Sequence, residues 1–199
     1  MKHWKPAAIA ALWSGALYAA PMPVVASFSI LGDVAQQIGG ERVGVQNLVG
    51  ANQDAHAYNL TSGDIKKIRE ARLVLLNGLG LEKAELQRAV KQSKVASAEA
   101  TAGIKPLAAD EHHHEHGHDH DHDHGEFDPH VWNDPVLMQR YAANVAIALI
   151  KADPAGSRYY QQRFKDYQNV LNQLNNYANR QFGAVAPAKR KVLTGHDSF

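Results

Sequence analysis

Cysteine is absent from this 199-residue chain. That excludes disulfides, thiolate metal ligands, cysteine nucleophiles and a lipid carried on a cysteine. A charge surplus is absent too: 21 Lys and Arg stand against 20 Asp and Glu, so nothing in the balance argues for nucleic acid as a partner. The apolar run from Ala7 to Leu17 falls well short of the ~20 residues that a membrane-spanning helix needs, and no later stretch qualifies. No helical stretch carries a His-Glu-x-x-His motif, no Gly-x-Ser-x-Gly elbow occurs, and Gly78-Leu-Gly80 is too short for a phosphate-binding glycine loop. What the chain has in excess is histidine, 12 in all. Eight of them (His112, His113, His114, His116, His118, His120, His122 and His124) form one tract, His3 lies near the start, and His56, His130 and His196 stand alone. That distribution points to metal.

The opening residues read as a secretory signal peptide over 1–26. Met1-Lys-His-Trp-Lys5 is a short basic start, Ala7 to Leu17 an apolar core, and Val24-Val25-Ala26 supplies small or β-branched residues ahead of a cut before Ser27. Export of this kind predicts a periplasmic location. The remainder, 45% hydrophobic and 21% charged over the whole chain, suits a globular protein rather than a disordered one.

From Ser27 the pattern alternates strand and helix. Phe28–Leu31 reads as a strand, Gly32–Ile38 as a helix and Arg42–Val49 as a strand. Thr61-Ser-Gly-Asp64 has capping-box spacing ahead of a helix with Ile65, Ile68 and Ala71 on one face. Leu73–Leu76 is a continuous apolar run, as in a strand covered on both faces. Glu82–Ser93 reads as a helix and Val95–Ala98 as a weaker strand. The fold class is therefore α/β, a βαβα domain over residues 27–152 built on a parallel sheet. A low-complexity loop at 110–128 interrupts it. Asp134-Pro135 and Asp153-Pro154 each place a capping acid before a proline, a helix-start signal.

A long linking helix is expected over 153–186. Tyr160, Phe164, Tyr167, Leu171, Leu174, Ala178 and Phe182 make one apolar stripe, running ~44 Å at ~1.5 Å per residue. A coiled-coil dimer is the alternative reading of that stripe. Arg190–Thr194 reads as a strand opening a second, incomplete α/β domain over 187–199, so the chain looks like the first half to two thirds of a two-domain protein.

His56 follows a strand, His130 precedes a helix start and His196 follows a strand. In a parallel sheet His56 and His196 would lie just beyond the carboxyl ends of their strands, the edge where ligands bind. Three neutral imidazoles converging there suit Zn²⁺, with Asp54, Asp128 and Asp197 as candidates to hold the second ring nitrogens. Each histidine alone is equally readable as a solvated loop or satisfied core residue. The tract from His112 to His124 alternates imidazole with carboxylate and reads as a multidentate chelator. Because such a loop must be ordered on binding, its sites should be weaker than the cleft. A charged solubilising linker is its bland alternative.

Three segments carry a family resemblance. Leu48-Val-Gly-Ala-Asn-Gln-Asp-Ala-His56 with Tyr58, Ser62, Asp64 and Ala71–Gly78, then Asp128-Pro-His130-Val-Trp132 with Asp134-Pro135, then Gly195-His-Asp-Ser-Phe199, resemble in order the metal motifs of the periplasmic zinc- and manganese-binding proteins of bacterial ABC importers. The resemblance implies two α/β domains joined by a rigid helix, with His56, His130 and His196 as cleft ligands and a fourth, acidic ligand from the second domain. It implies a monomer that is not an enzyme and does not span the membrane, with the importer's membrane permease as partner. Histidine at 196, where manganese members often carry a carboxylate, favours Zn²⁺ over Mn²⁺. The alternatives are a zinc-dependent hydrolase with a three-histidine site and a stand-alone periplasmic zinc buffer or metallochaperone.

Overall fold

The computed structural model describes residues 20–105 and 127–191. Four parallel strands form its sheet: β1 (Met22–Phe28), β2 (Val43–Val49), β3 (Leu73–Leu76) and β4 (Ala96–Glu99), in the order β2-β1-β3-β4. Between them run α1 (Ser29–Gly39), α2 (Ser62–Glu70) and α3 (Ala84–Ser93), followed by α4 (Pro135–Ala152) and α5 (Ser157–Gly183).

Strand side chains alternate between faces, and both faces are covered. Val24, Ala26, Phe28, Leu73 and Leu75 pack with α1, α4 and Tyr160 of α5. Val25, Leu48, Val74 and Leu76 pack with Ile68 of α2 and Leu86 and Val90 of α3. The sheet is a buried middle layer, which is why its strands read as near-continuous apolar runs. From β1 the chain passes to β2 on one side, then crosses to β3 on the other. The loops at the carboxyl ends of β1, β2 and β3 thus border the point where strand order reverses, the usual ligand crevice of open α/β sheets.

The first strand departs from the sequence reading. Residues 22–26, expected in the leader, form most of β1, with Val24, Val25 and Ala26 fully buried between strands on both sides. A cut before Ser27 would remove a central strand, so the boundary of any leader must fall earlier. An apolar Val-Val-Ala run before a cleavage point and one inside a buried parallel strand are the same signal. Of the expected strand Phe28–Leu31 only Phe28 is in a strand, as the last residue of β1; Ser29–Leu31 start α1, whose N-cap Phe28 makes no side-chain capping bond and so leaves no mark in the sequence.

Elsewhere the start signals act as read. Thr61 and Asp64 form a reciprocal capping box on α2, and Asp134 caps α4 with Pro135 as its first residue. Asp153-Pro154 opens only a 3-10 turn, and the long helix begins at Ser157. The Asp153 carboxylate instead accepts from Arg42 Nε at 2.9 Å and from the Tyr160 hydroxyl at 2.7 Å, tying α5 to the turn before β2. Helix α5 has 27 residues, ~40 Å, and the described residues cover only its first half. Tyr160 and Leu171 are buried, while Leu174 and Phe182 are 49% and 69% exposed. Arg190 and Lys191 are not in a strand, and the rest of the expected strand at 190–194 lies outside the described residues. No helix among the described residues is long and apolar enough to cross a membrane.

Candidate metal centre

Two of the three isolated histidines meet. His56, from the loop after β2, and His130, just before α4, bring their Nε2 atoms to 3.1 Å with ring centroids 5.1 Å apart. The pair sits in a groove of about 350 Å³ bordered by Phe28, Val49, Asp54, Leu81 and Trp132, at the carboxyl ends of β1 and β2. At a zinc–nitrogen bond of ~2.05 Å, nitrogens that far apart subtend about 98° at a shared ion. An ideal tetrahedral pair needs ~3.3 Å, an opening of ~0.2 Å. The spacing fits a bridging cation.

Local sequence explains how each ring is held. Both histidines lie in the same Asp-x-His turn. The Asp54 Oδ1 accepts the His56 backbone N–H at 2.8 Å, and the Asp128 Oδ1 accepts that of His130 at 2.8 Å. Asp and Asn favour such turns because their short side chains reach the backbone two residues on. The Asp128 oxygen also meets His130 Nδ1 at 2.6 Å. A carboxylate can only accept, so Nδ1 carries a proton, and the neutral ring then turns the Nε2 lone pair toward His56, the tautomer a metal ligand requires. His130 is 8% exposed and its ring lies edge-on to Trp132, which packs on Phe28 at the end of β1.

The His56 loop is pinned along its length. Gln53 accepts the Gly50 N–H at 2.7 Å, and Asn52 takes the left-handed conformation (φ 64°) that Asn tolerates better than most residues. Lys83 Nζ donates to the Ala57 carbonyl and to Asn59, both at 3.1 Å. Tyr58 donates to Asp64 at 2.7 Å, joining the loop to the cap of α2. Burial alone would raise the Asp64 carboxyl, but bonds from Thr61, Tyr58 and Lys67 bring it down to about 2. Burial and the same carboxylate push the Tyr58 phenol up to about 12.

His196 and Asp197 lie outside the described residues, as do His112, His113, His114, His116, His118, His120, His122 and His124. Among the described residues, no group of three His, Cys, Asp or Glu is arranged to hold one ion. The described part of the site is therefore a two-imidazole half. Of the three acids expected behind the rings, Asp128 meets the Nδ1 of His130, and Asp197 lies outside the described residues. Sequence reasoning missed Glu82, which was expected inside a helix over Glu82–Ser93. That helix starts at Ala84, and the buried Glu82 carboxylate turns back onto the amides of Asn77 and Gly78 at 2.6 and 3.0 Å. Burial raises its carboxyl above the ordinary range, the two amides opposing.

Comparison with known proteins gives a consistent result. Residues 24–199 match the family described as zinc-uptake complex component A, periplasmic. The chain is 31% identical over 176 residues to the zinc-binding protein TroA of Treponema pallidum, covering 88% of this chain and 54% of that one. It is 31% identical over 182 residues to the manganese-binding lipoprotein MntA of Bacillus subtilis, covering 89% and 56%. The chain thus spans just over half the length of these relatives. Its fold superimposes with a TM-score of 0.72 on the manganese-bound periplasmic metal-binding protein of Candidatus Liberibacter asiaticus, at 31% identity, covering 84% of this chain and 59% of that one.

Proposed function

Because this chain belongs to the periplasmic zinc-uptake component A family, we propose that it is the metal-capturing part of an extracytoplasmic solute-binding protein, which takes Zn²⁺ and delivers it to the membrane permease of an ABC importer. The observation that carries the reading is the 3.1 Å approach of the His56 and His130 Nε2 atoms, with Asp128 fixing the tautomer of His130. His196 is the third ligand in this reading.

Relatives are named for zinc and for manganese alike, so the choice of Zn²⁺ rests on the donors. Neutral imidazoles suit zinc, whereas manganese prefers carboxylate, carbonyl and water. The solute-binding character of the family removes the ground for the hydrolase alternative, since binding and release need no bond-making chemistry. The histidine tract at 112–124 gathers Zn²⁺ at low supply and passes it to the cleft.

Calorimetry on the chain and on a deletion of residues 111–126 tests this division. The expected result is one tight site that survives the deletion and several weaker ones that do not. Loss of the tight site on deletion, or its survival in His56→Ala, contradicts the reading.

A further inference from the structure

One side chain ties the end of β3 to the turn that carries His130. Asn77, at the end of β3, is fully buried and has its polar atoms engaged. Its side-chain amide donates to the Pro129 carbonyl at 3.2 Å and to the Gly78 carbonyl at 3.0 Å. Its side-chain oxygen accepts from the Tyr141 hydroxyl of α4 at 3.0 Å. Its own N–H donates to Glu82, and its carbonyl accepts from Thr101. Gly78 beside it adopts φ +88°, and a Cβ there would lie 2.6 Å from the Thr101 hydroxyl, so this end of β3 is held in one backbone path.

Pro129 is the middle residue of the Asp128-Pro129-His130 turn. The turn is gripped from two sides: Asp128 holds the imidazole and the His130 N–H, and Asn77 holds the carbonyl between them. An Asn amide offers donors and an acceptor at once. The Pro129 and Gly78 carbonyls can only accept, so they commit the NH₂ to their side, and the Tyr141 hydroxyl donates to the side-chain oxygen on the other. These partners lie 64 and 52 residues away in sequence, bringing the sheet, α4 and the metal turn into one network.

We infer that Asn77 is a positioning residue for the metal site: tethered by the Tyr141 hydroxyl, it fixes the Pro129 carbonyl and with it the place where His130 presents its ring to His56. This rests on the metal reading of that pair. The effect on binding should sit at the lower end of what outer partners of metal ligands contribute, ~10-fold in affinity.

The test compares the full chain with Asn77→Ala and Tyr141→Phe, using cobalt(II) as the probe and amide hydrogen exchange on the metal-free protein. Asn77→Ala should weaken cobalt binding ~10-fold and alter its d–d absorption. Tyr141→Phe, which keeps the ring in the core, should shift both in the same direction by less. In both variants the His130 amide should exchange faster while that of Ile68 on α2 is unchanged. If Asn77→Ala does not fold, Tyr141→Phe decides alone. An unchanged cobalt spectrum with unchanged His130 exchange in a folded variant overturns the inference. No cobalt spectrum in the unaltered chain overturns the metal reading, and His130 exchange in the metal-free variants then still decides the positioning role.

Discussion

Replacing Asp128 with alanine removes a single oxygen that serves two donors, the His130 N–H at 2.8 Å and the ring Nδ1–H at 2.6 Å. The side chain of Asp128 is 25% exposed and that of His130 6%, so water replaces little of what is lost. Hydrogen bonds to a charged acceptor contribute ~1.5–3 kcal/mol each. Part of that is stability common to the metal-free and metal-bound chain and cancels in binding. What remains is the orientation of the ring and the basicity lent to Nε2, for which outer carboxylates are worth ~10–100-fold in affinity, or about 1.4–2.7 kcal/mol. Asp128→Ala should therefore raise the zinc Kd by one to two decades, and Asp128→Asn, whose amide oxygen still accepts, by about one decade. Competition against a chromophoric chelator, on a chain lacking 111–126, reads that shift directly. A Kd for Asp128→Ala within twofold of the unaltered chain would refute the argument that this carboxylate prepares the ligand.

Other parts of the fold make their own predictions. The Asp64 carboxyl is held at about 2 against an ordinary 3.8, so its contribution is complete above pH ~4 and is lost as pH falls through about 2. Asp64→Asn should cost at most ~2 kcal/mol at pH 7 and flatten the fall in urea midpoint between pH 4 and 2; an unchanged acid limb would contradict this. A Cβ on Gly156 would lie 2.5 Å from both Arg42 Nε and the Tyr160 ring. Gly156→Ala should therefore destabilise by ~1–3 kcal/mol and speed amide exchange at the start of α5. Along α5, Leu171→Ala should cost ~2–5 kcal/mol, whereas Phe182→Ser, on the exposed half, should change thermal stability by under ~0.5 kcal/mol. Equal effects at the two positions would mean that the distal stripe is covered.

The features legible in the sequence are those whose signal is local. Thr61 and Asp64 stand three residues apart because a capping box needs that spacing, Asp134-Pro135 because an N-cap and a first-turn proline are neighbours, and Leu73–Leu76 is apolar throughout because helices cover both faces of its strand. His56 reads at the carboxyl edge of a parallel sheet because it follows a strand, but no spacing says that His130, ahead of a helix start, meets it there; only the family resemblance puts the two at one site. The first strand was hidden because its residues also satisfy the composition of a leader's end, and Asp153 looked like a cap while its carboxylate was committed to Arg42 and Tyr160. The roles of Asn77, Glu82 and Tyr141 were not readable from the residues. Their bonds to each other and to Pro129 join different elements, and no spacing rule reaches across those separations.

X-ray absorption on the zinc-loaded chain lacking 111–126 asks the central question most directly, namely whether separate imidazoles share one ion. Three nitrogen scatterers at ~2.0–2.1 Å with imidazole outer-shell signatures are expected, falling to two in His56→Ala, in His130→Ala and in His196→Ala alike. An oxygen-dominated shell, or one that none of these substitutions alters, would contradict the account.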